Sequence, residues 1–180
     1  MLRRLQVLWI CFLVACTHVP VPTASERVQH ANALALAKGW LPANLSAGEF
    51  TLVAYLPGVL VPAETLTIYI EGDGLAWTSR DTPSQDPTPR DPIGLKLALA
   101  HPAGAVAYLG RPCQYLGGDR TAECSQAYWT NKRFAAEVVT ATTAAIDMLK
   151  RRIDARHIQL VGYSGGGAVA ALVAAGSKSG

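Results

Sequence analysis

The fold is decided by His157-Ile158-Gln159-Leu160-Val161-Gly162-Tyr163-Ser164-Gly165-Gly166-Gly167. The first six residues form a β-rich apolar run, and residues 165–175 consist only of Gly, Ala, Val and Leu. A strand therefore passes into a helix across one tight connection, and Gly162-Tyr163-Ser164-Gly165-Gly166 matches the pattern G-x-S-x-G. So sharp a turn strains the backbone at the serine, and only glycines beside it are small enough to allow the approach. The strain lifts the Ser164 hydroxyl above the C-terminal edge of a sheet, where the first amides of the helix point at the same spot. Two plainer readings stand beside this one. Ser164 could simply cap the helix within a glycine-rich turn. A nucleotide-binding turn also follows a strand, but it needs G-x-G-x-x-G, and Ser164 stands where its second glycine belongs.

Upstream lies the longest helical pattern in the chain. Phe134, Val138, Ala141, Ala145 and Met148 recur on one stripe that faces a sheet. Lys150, Arg151 and Arg152 close that helix and complement its dipole. Residues 105–109 read as a short apolar strand. Before it, Asp91 as a cap and Pro92 in the first turn predict a helix to about Ala100. Residues 78–90 form a polar, proline-punctuated loop, and residues 66–70 a β-rich run ending abruptly at Glu71-Gly72-Asp73-Gly74. Residues 49–56 alternate, with Phe50, Leu52, Ala54 and Leu56 on one side, before the Pro57-Gly58 turn. Thr23 and Glu26 form a capping-box pattern that opens a helix to Lys38, and Gly39 stops it. Alternation of strand and helix in the second half predicts an α/β fold with a mainly parallel sheet and flanking helices.

The chain begins with an address. Met1-Leu2-Arg3-Arg4 is a short positive head, followed by an apolar run from Leu5 to Ala15 broken only by Gln6. About eleven helical residues rise only about 16 Å, against roughly 30 Å of bilayer hydrocarbon, which fits a cleaved signal rather than a stable span. Leu13-Val14-Ala15-Cys16 resembles the bacterial lipobox, and that resemblance implies cleavage before Cys16 and lipid attachment to it. Residues 1–15 are then a lipoprotein signal peptide. Residues 16–22 form a tether stiffened by Val19-Pro20-Val21-Pro22, and residues 23–180 make one domain. Several acyl chains at about 0.8 kcal/mol per buried CH₂ anchor such a body to the cell envelope. Thr17 is not the Asp that retains lipoproteins in the inner membrane, which points to an outer-membrane site facing the periplasm.

Composition agrees with an exported globular body. Half of the 180 residues are hydrophobic and 16% are charged. Without Arg3 and Arg4, 14 basic residues face 13 acidic ones, a net of +1. That balance excludes nucleic acid as the default partner, and the apolar content argues against disorder. With Cys11 in the leader and Cys16 lipidated, Cys113 and Cys124 are the remaining thiols. An even pair in an oxidising compartment can staple the loop between them, contributing about 3 kcal/mol in the chain-entropy model. The alternative is two unpaired cysteines. No Cys/His spacing here suits a metal, and no cofactor is implied.

The two glycine motifs, in this order and separated by these helices, make residues from about Phe50 to Gly180 resemble the N-terminal two-thirds of an α/β-hydrolase, of the bacterial lipoprotein type. The resemblance implies a serine hydrolase acting on a small-molecule ester, or less readily an amide, through an acyl-enzyme at Ser164. It implies that the Gly165 N–H is one oxyanion donor, and that Asp73 or Gly74 supplies the other. Glu71-Gly72 replaces the family's frequent His-Gly opening, and the Asp73 carboxylate is expected to turn away from the hole. Trp77, Trp129 and the loop 78–90 are candidate cleft walls.

A serine hydroxyl is a weak nucleophile until a histidine takes its proton and an acid orients that histidine. The family order is serine, acid, histidine, yet none of the sixteen residues after Ser164 is Asp, Glu or His. His18 lies in the tether and His30 on the leading helix. His157 starts the elbow strand roughly 20 Å from Ser164, and His101 is expected at that same lower edge. Lys178 lies about 21 Å along the following helix. The sequence thus reads as part of a longer, truncated α/β-hydrolase fold, with the elbow strand left as a sheet edge. The alternative function is a noncatalytic envelope lipoprotein that uses the same scaffold for binding. On the hydrolase reading, the purified 180-residue chain will be poorly soluble and will show negligible turnover of p-nitrophenyl esters; robust Ser164-dependent turnover would refute the truncation.

Overall fold

The computed structural model describes residues 20–117 and 124–176. The expected leader, Cys16, His18 and Lys178 lie outside the described residues. Helix α1 (Ala24–Leu36) starts with the expected capping box. Thr23 Oγ1 accepts the Glu26 N–H at 3.2 Å, and the Glu26 carboxylate accepts the Thr23 N–H at 2.7 Å. Strand β1 (Trp40–Ala47) follows, and it is an element the sequence pattern does not predict. Pro42 argues against a strand, but β1 is a sheet edge paired only with β2 (Phe50–Pro57), where a missing N–H is tolerated. Gly48, at φ +62°, makes the two-residue connection between them.

Strand β3 (Ala63–Ile70), helix α2 (Ile93–Leu99), strand β4 (Ala105–Leu109), helix α3 (Ala136–Ile153), strand β5 (Ala155–Gly162) and helix α4 (Gly165–Gly176) complete the body. The five strands lie in the order β1-β2-β4-β3-β5. The fold is α/β, but the sheet is mixed rather than mainly parallel. β1 and β2 are antiparallel, as are β2 and β4, while β4, β3 and β5 are mutually parallel. The reason is local: a two-residue connection can only reverse a strand, whereas α2 and α3 are long enough crossovers to restore its direction.

Both faces of the sheet are covered, which explains why β2 is buried on both sides. Phe50, Leu52, Ala54 and Leu56 pack with Leu66, Ile68 and Ile70 against α3 and α4. On the opposite face, Val53, Tyr55 and Tyr108 pack against Ala31 and Ala35 of α1 and Leu95 and Ala98 of α2. Of the expected stripe, Val138, Ala141 and Ala145 are buried on α3, whereas Met148 is half-buried and Phe134 precedes the helix; Leu149 is buried as well, and Asp154 ends the helix in a left-handed conformation. Helix α4, although made only of Gly, Ala, Val and Leu up to residue 175, buries one side alone: Gly166, Val169, Ala170 and Val173 are buried, and Leu172 is 43% exposed. No helix among the described residues is long and apolar enough to cross a membrane.

One expectation about the loop before α2 is corrected. Asp91 does not cap the helix; Pro92 holds that position and the Asp91 carboxylate pairs with Lys96 instead. The polar loop 78–90 is partly drawn into the interior, with Ser84, Asp86 and Thr88 buried. Arg27 of α1 draws it inward. Its guanidinium donates to Asp86 Oδ1 at 2.9 Å, to the Asp86 carbonyl at 3.1 Å and to the Pro22 carbonyl at 2.5 Å. Beside this pair Val21 shares a shallow hollow with Leu75 and Thr78. With both partners about 95% buried, Asp86→Ala leaves a charge without its counterion. It should cost about 3–5 kcal/mol in a urea-unfolding measurement.

Candidate active site

The geometry of the elbow comes from close backbone approach. β5 pairs with β3 up to Ile70 and Gly162, and the Tyr163 N–H donates to the Ile70 carbonyl at 3.0 Å. The chain then turns through Ser164 at φ +49°, a left-handed conformation that a non-glycine residue rarely adopts without compensation. A Cβ on Gly162 would lie 2.3 Å from the Gly166 carbonyl oxygen, and one on Gly166 would lie 2.4 Å from that of Glu71. Neither position has room for a side chain. Ser164 is exposed just ahead of α4, and the described residues give its hydroxyl no hydrogen-bond partner.

The glycine turn after β3 meets this elbow. A Cβ on Gly72 would stand 3.2 Å from that of Ser164 and 3.0 Å from the Tyr163 ring. Gly74, at φ +65°, has the Pro87 carbonyl oxygen 2.0 Å from where its Cβ would be. Adjacent strands β3 and β5 send their chains to opposite faces, to α2 and α4, and ligands favour such a crevice at the carboxyl ends of strands. A cleft of about 560 Å³ opens there, lined by Asp73, Gly74, Trp77, Arg90, Tyr163 and Ser164 among others. Trp77 is a wall of it, as expected, together with Thr78, Pro89 and Arg90 of the following loop. Trp129 is not: it is buried in the core, and its indole N–H donates to the Ser84 carbonyl at 3.3 Å.

The backbone N–H groups of Asp73, Gly74 and Gly165 have no acceptor among the described residues. The Asp73 carboxylate, however, does not turn away. Its Oδ1 lies 2.2 Å from the position a Cβ on Gly165 would take. Two guanidinium groups offset it: Arg111 Nη1 at 3.2 Å and Arg133 Nε at 3.6 Å. Burial lowers the Arg111 pKa, and the adjacent Asp73 charge only partly opposes that shift.

The histidines stand elsewhere. His101 Nδ1 lies 3.1 Å from the Tyr69 hydroxyl, near Gly104 just before β4, and His157 pairs with Glu64 at 3.3 Å where β5 begins. His30 is exposed on α1. Among the described residues no cluster of His, Cys, Asp or Glu could hold a metal.

Sequence reasoning missed the support beneath the turn. Glu71 is 1% exposed. Its Oε1 accepts the Gly72 and Gly94 N–H groups at 2.9 and 3.1 Å, while Oε2 accepts the Tyr108 hydroxyl at 3.0 Å. The available signal was a charged residue placed directly at the end of an apolar strand. Burial raises the Glu71 pKa, and these hydrogen bonds only partly oppose it. Folding therefore favours the protonated form. The stabilisation is complete below the unfolded carboxyl pKa and is lost as pH rises through the higher folded value. Glu71→Gln should flatten that part of the pH dependence of the thermal midpoint, and an unchanged slope would contradict the assignment. No protein-family model matches this chain, and no curated protein sequence matches it.

Proposed function

We propose that this chain carries the nucleophile and oxyanion site of a serine hydrolase of the α/β-hydrolase type. It acts on a carboxylic ester, or less readily an amide. The observation that carries the reading is the meeting in one cleft of an exposed, left-handed Ser164 and the glycine turn after β3, with the Gly165 amide, unpaired among the described residues, directly following the serine. Ser164 Oγ would bond to the acyl carbon as its proton passes to a histidine base, which later returns it to the leaving alcohol, while the carbonyl electron pair moves onto oxygen. The Gly165 N–H and an N–H of Asp73 or Gly74 would receive that charge, an arrangement that typically lowers the barrier by several kcal/mol. The oxyanion then collapses, the alcohol leaves with a proton, and water hydrolyses the acyl-enzyme. A histidine and its orienting acid must come from outside the described residues. The same reading places the protein in the bacterial envelope, held by lipid on Cys16, with the Cys113–Cys124 disulfide suited to that compartment.

A noncatalytic binding function is the second reading. It is favoured by the Asp73 carboxylate lying against Gly165 and by the distance of every described histidine from Ser164. A fluorophosphonate probe separates the two. On the enzymatic reading the full-length gene product is labelled, and Ser164→Ala abolishes the label. Equal labelling of the variant, or none of the wild type, would favour the binding function.

A further inference from the structure

Residues 111–115 run beneath the glycine turn, and their polar groups hold it from below. Gln114 is fully buried. Its side-chain oxygen accepts the Arg111 N–H at 3.0 Å, while its amide nitrogen donates to the Gly72 carbonyl at 3.0 Å and to the Pro87 carbonyl at 3.4 Å. Pro87 is the residue whose carbonyl crowds Gly74. The turn is therefore gripped on both sides by one side chain. Neighbours reinforce the grip: the Tyr115 N–H donates to Thr88 Oγ1 at 2.8 Å, and the Tyr115 hydroxyl lies 2.7 Å from that of Tyr108, which reaches Glu71.

The Gly72 carbonyl and the Asp73 N–H belong to one planar peptide unit. In a trans peptide they point in opposite directions, and no cis bond occurs among the described residues. Fixing the carbonyl on Gln114 thus fixes the N–H facing away from Gln114, out of the buried layer. We propose that Gln114 is a positioning residue that aims the Asp73 N–H as the second oxyanion donor, and that the Cys113–Cys124 disulfide keeps Gln114 in place. The inference rests on the hydrolase reading. It also decides between the two candidate donors, because the Gly74 N–H belongs to the next peptide unit, which Gln114 does not hold.

The disulfide enters through backbone strain. Cys113 and Tyr115, on either side of Gln114, adopt left-handed φ values of 70° and 65°. Non-glycine residues hold such conformations only where surrounding structure over-determines them. Cys113 is fully buried and bonded to Cys124, so reduction frees the segment at the point of strain.

The test uses the full-length gene product and p-nitrophenyl acetate. Gln114→Glu preserves shape and the acceptor for Arg111 but loses the amide donor. When protonated, the new carboxyl can donate to the Gly72 carbonyl again; when ionised, it cannot. The expected result is a fall in kcat of about 100-fold with KM changed less than about twofold. The ratio to wild type should recover towards acid pH. Wild type that has been reduced and thiol-capped should show the same split between kcat and KM, and reoxidation of an uncapped sample should restore kcat. The reduced protein carries the test alone if the variant does not fold. Unchanged kcat, a loss confined to KM, or a loss independent of pH would overturn the proposal. Fluorophosphonate labelling of wild-type Ser164 alongside an unaffected Gln114→Glu would overturn this inference alone. Absence of wild-type labelling would overturn the hydrolase reading and this inference with it.

Discussion

The contact on which the rest depends is the approach of Gly166, in the first turn of α4, to the carbonyl oxygens of Ile70 and Glu71 at the end of β3. A Cβ at that position would lie 2.5 and 2.4 Å from those two atoms. Without a side chain there, α4 can start directly against the sheet, and β5 can stay paired with β3 up to its last residue. The serine before it is then forced into a left-handed conformation, exposed in the cleft rather than folded into the helix. One missing methyl group thus sets the strand pairing, the helix origin and the exposure of the hydroxyl together.

Polar groups buried around that contact set its finer geometry. Glu71 joins the end of β3 to the start of α2 and to β4. Arg111 and Gln114 hold Asp73 and Gly72 from the segment after β4. Such groups lose hydration on burial, and they are tolerated because most of their donors and acceptors are met. The exceptions, Arg27 Nε, Asp86 Oδ2 and Arg111 Nε, sit in two ion pairs whose charges are matched even where single hydrogen bonds are not. A layer of this kind contributes less to net stability than an apolar one, but it allows fewer alternative arrangements of the turn above it.

Much of the architecture was legible because it follows from period and punctuation. The alternation at Phe50, Leu52, Ala54 and Leu56, the stripe on α3, the capping box at Thr23 and the glycines around Ser164 each state a local rule that the fold obeys. β1 was not legible, since Pro42 carries the signal of an interruption and only the strand's place at the sheet edge makes it harmless. The mixed sense of the sheet was missed in part for the same reason, since without β1 the two-residue reversal before β2 is invisible; the antiparallel pairing of β2 with β4 joins strands far apart in the chain and has no local signature. Asp73 was placed on an electrostatic argument that lacked Arg111 and Arg133, residues 38 and 60 positions away along the chain. Glu71 and Gln114 had no periodic signature at all, because their roles depend on partners gathered by the fold.

The short exposed stretch before α1 has a geometric consequence. Pro22 is bonded to Arg27, and Val21 shares its hollow with Leu75 and Thr78, which also line the cleft beside Ser164. The polypeptide therefore leaves the body next to the mouth of that opening, not at the far end of the strands. On the proposed attachment through Cys16, a body leashed to a surface by this end would hold its entrance towards that surface. Molecules lying on that surface would then reach it more readily than those free in the surrounding fluid.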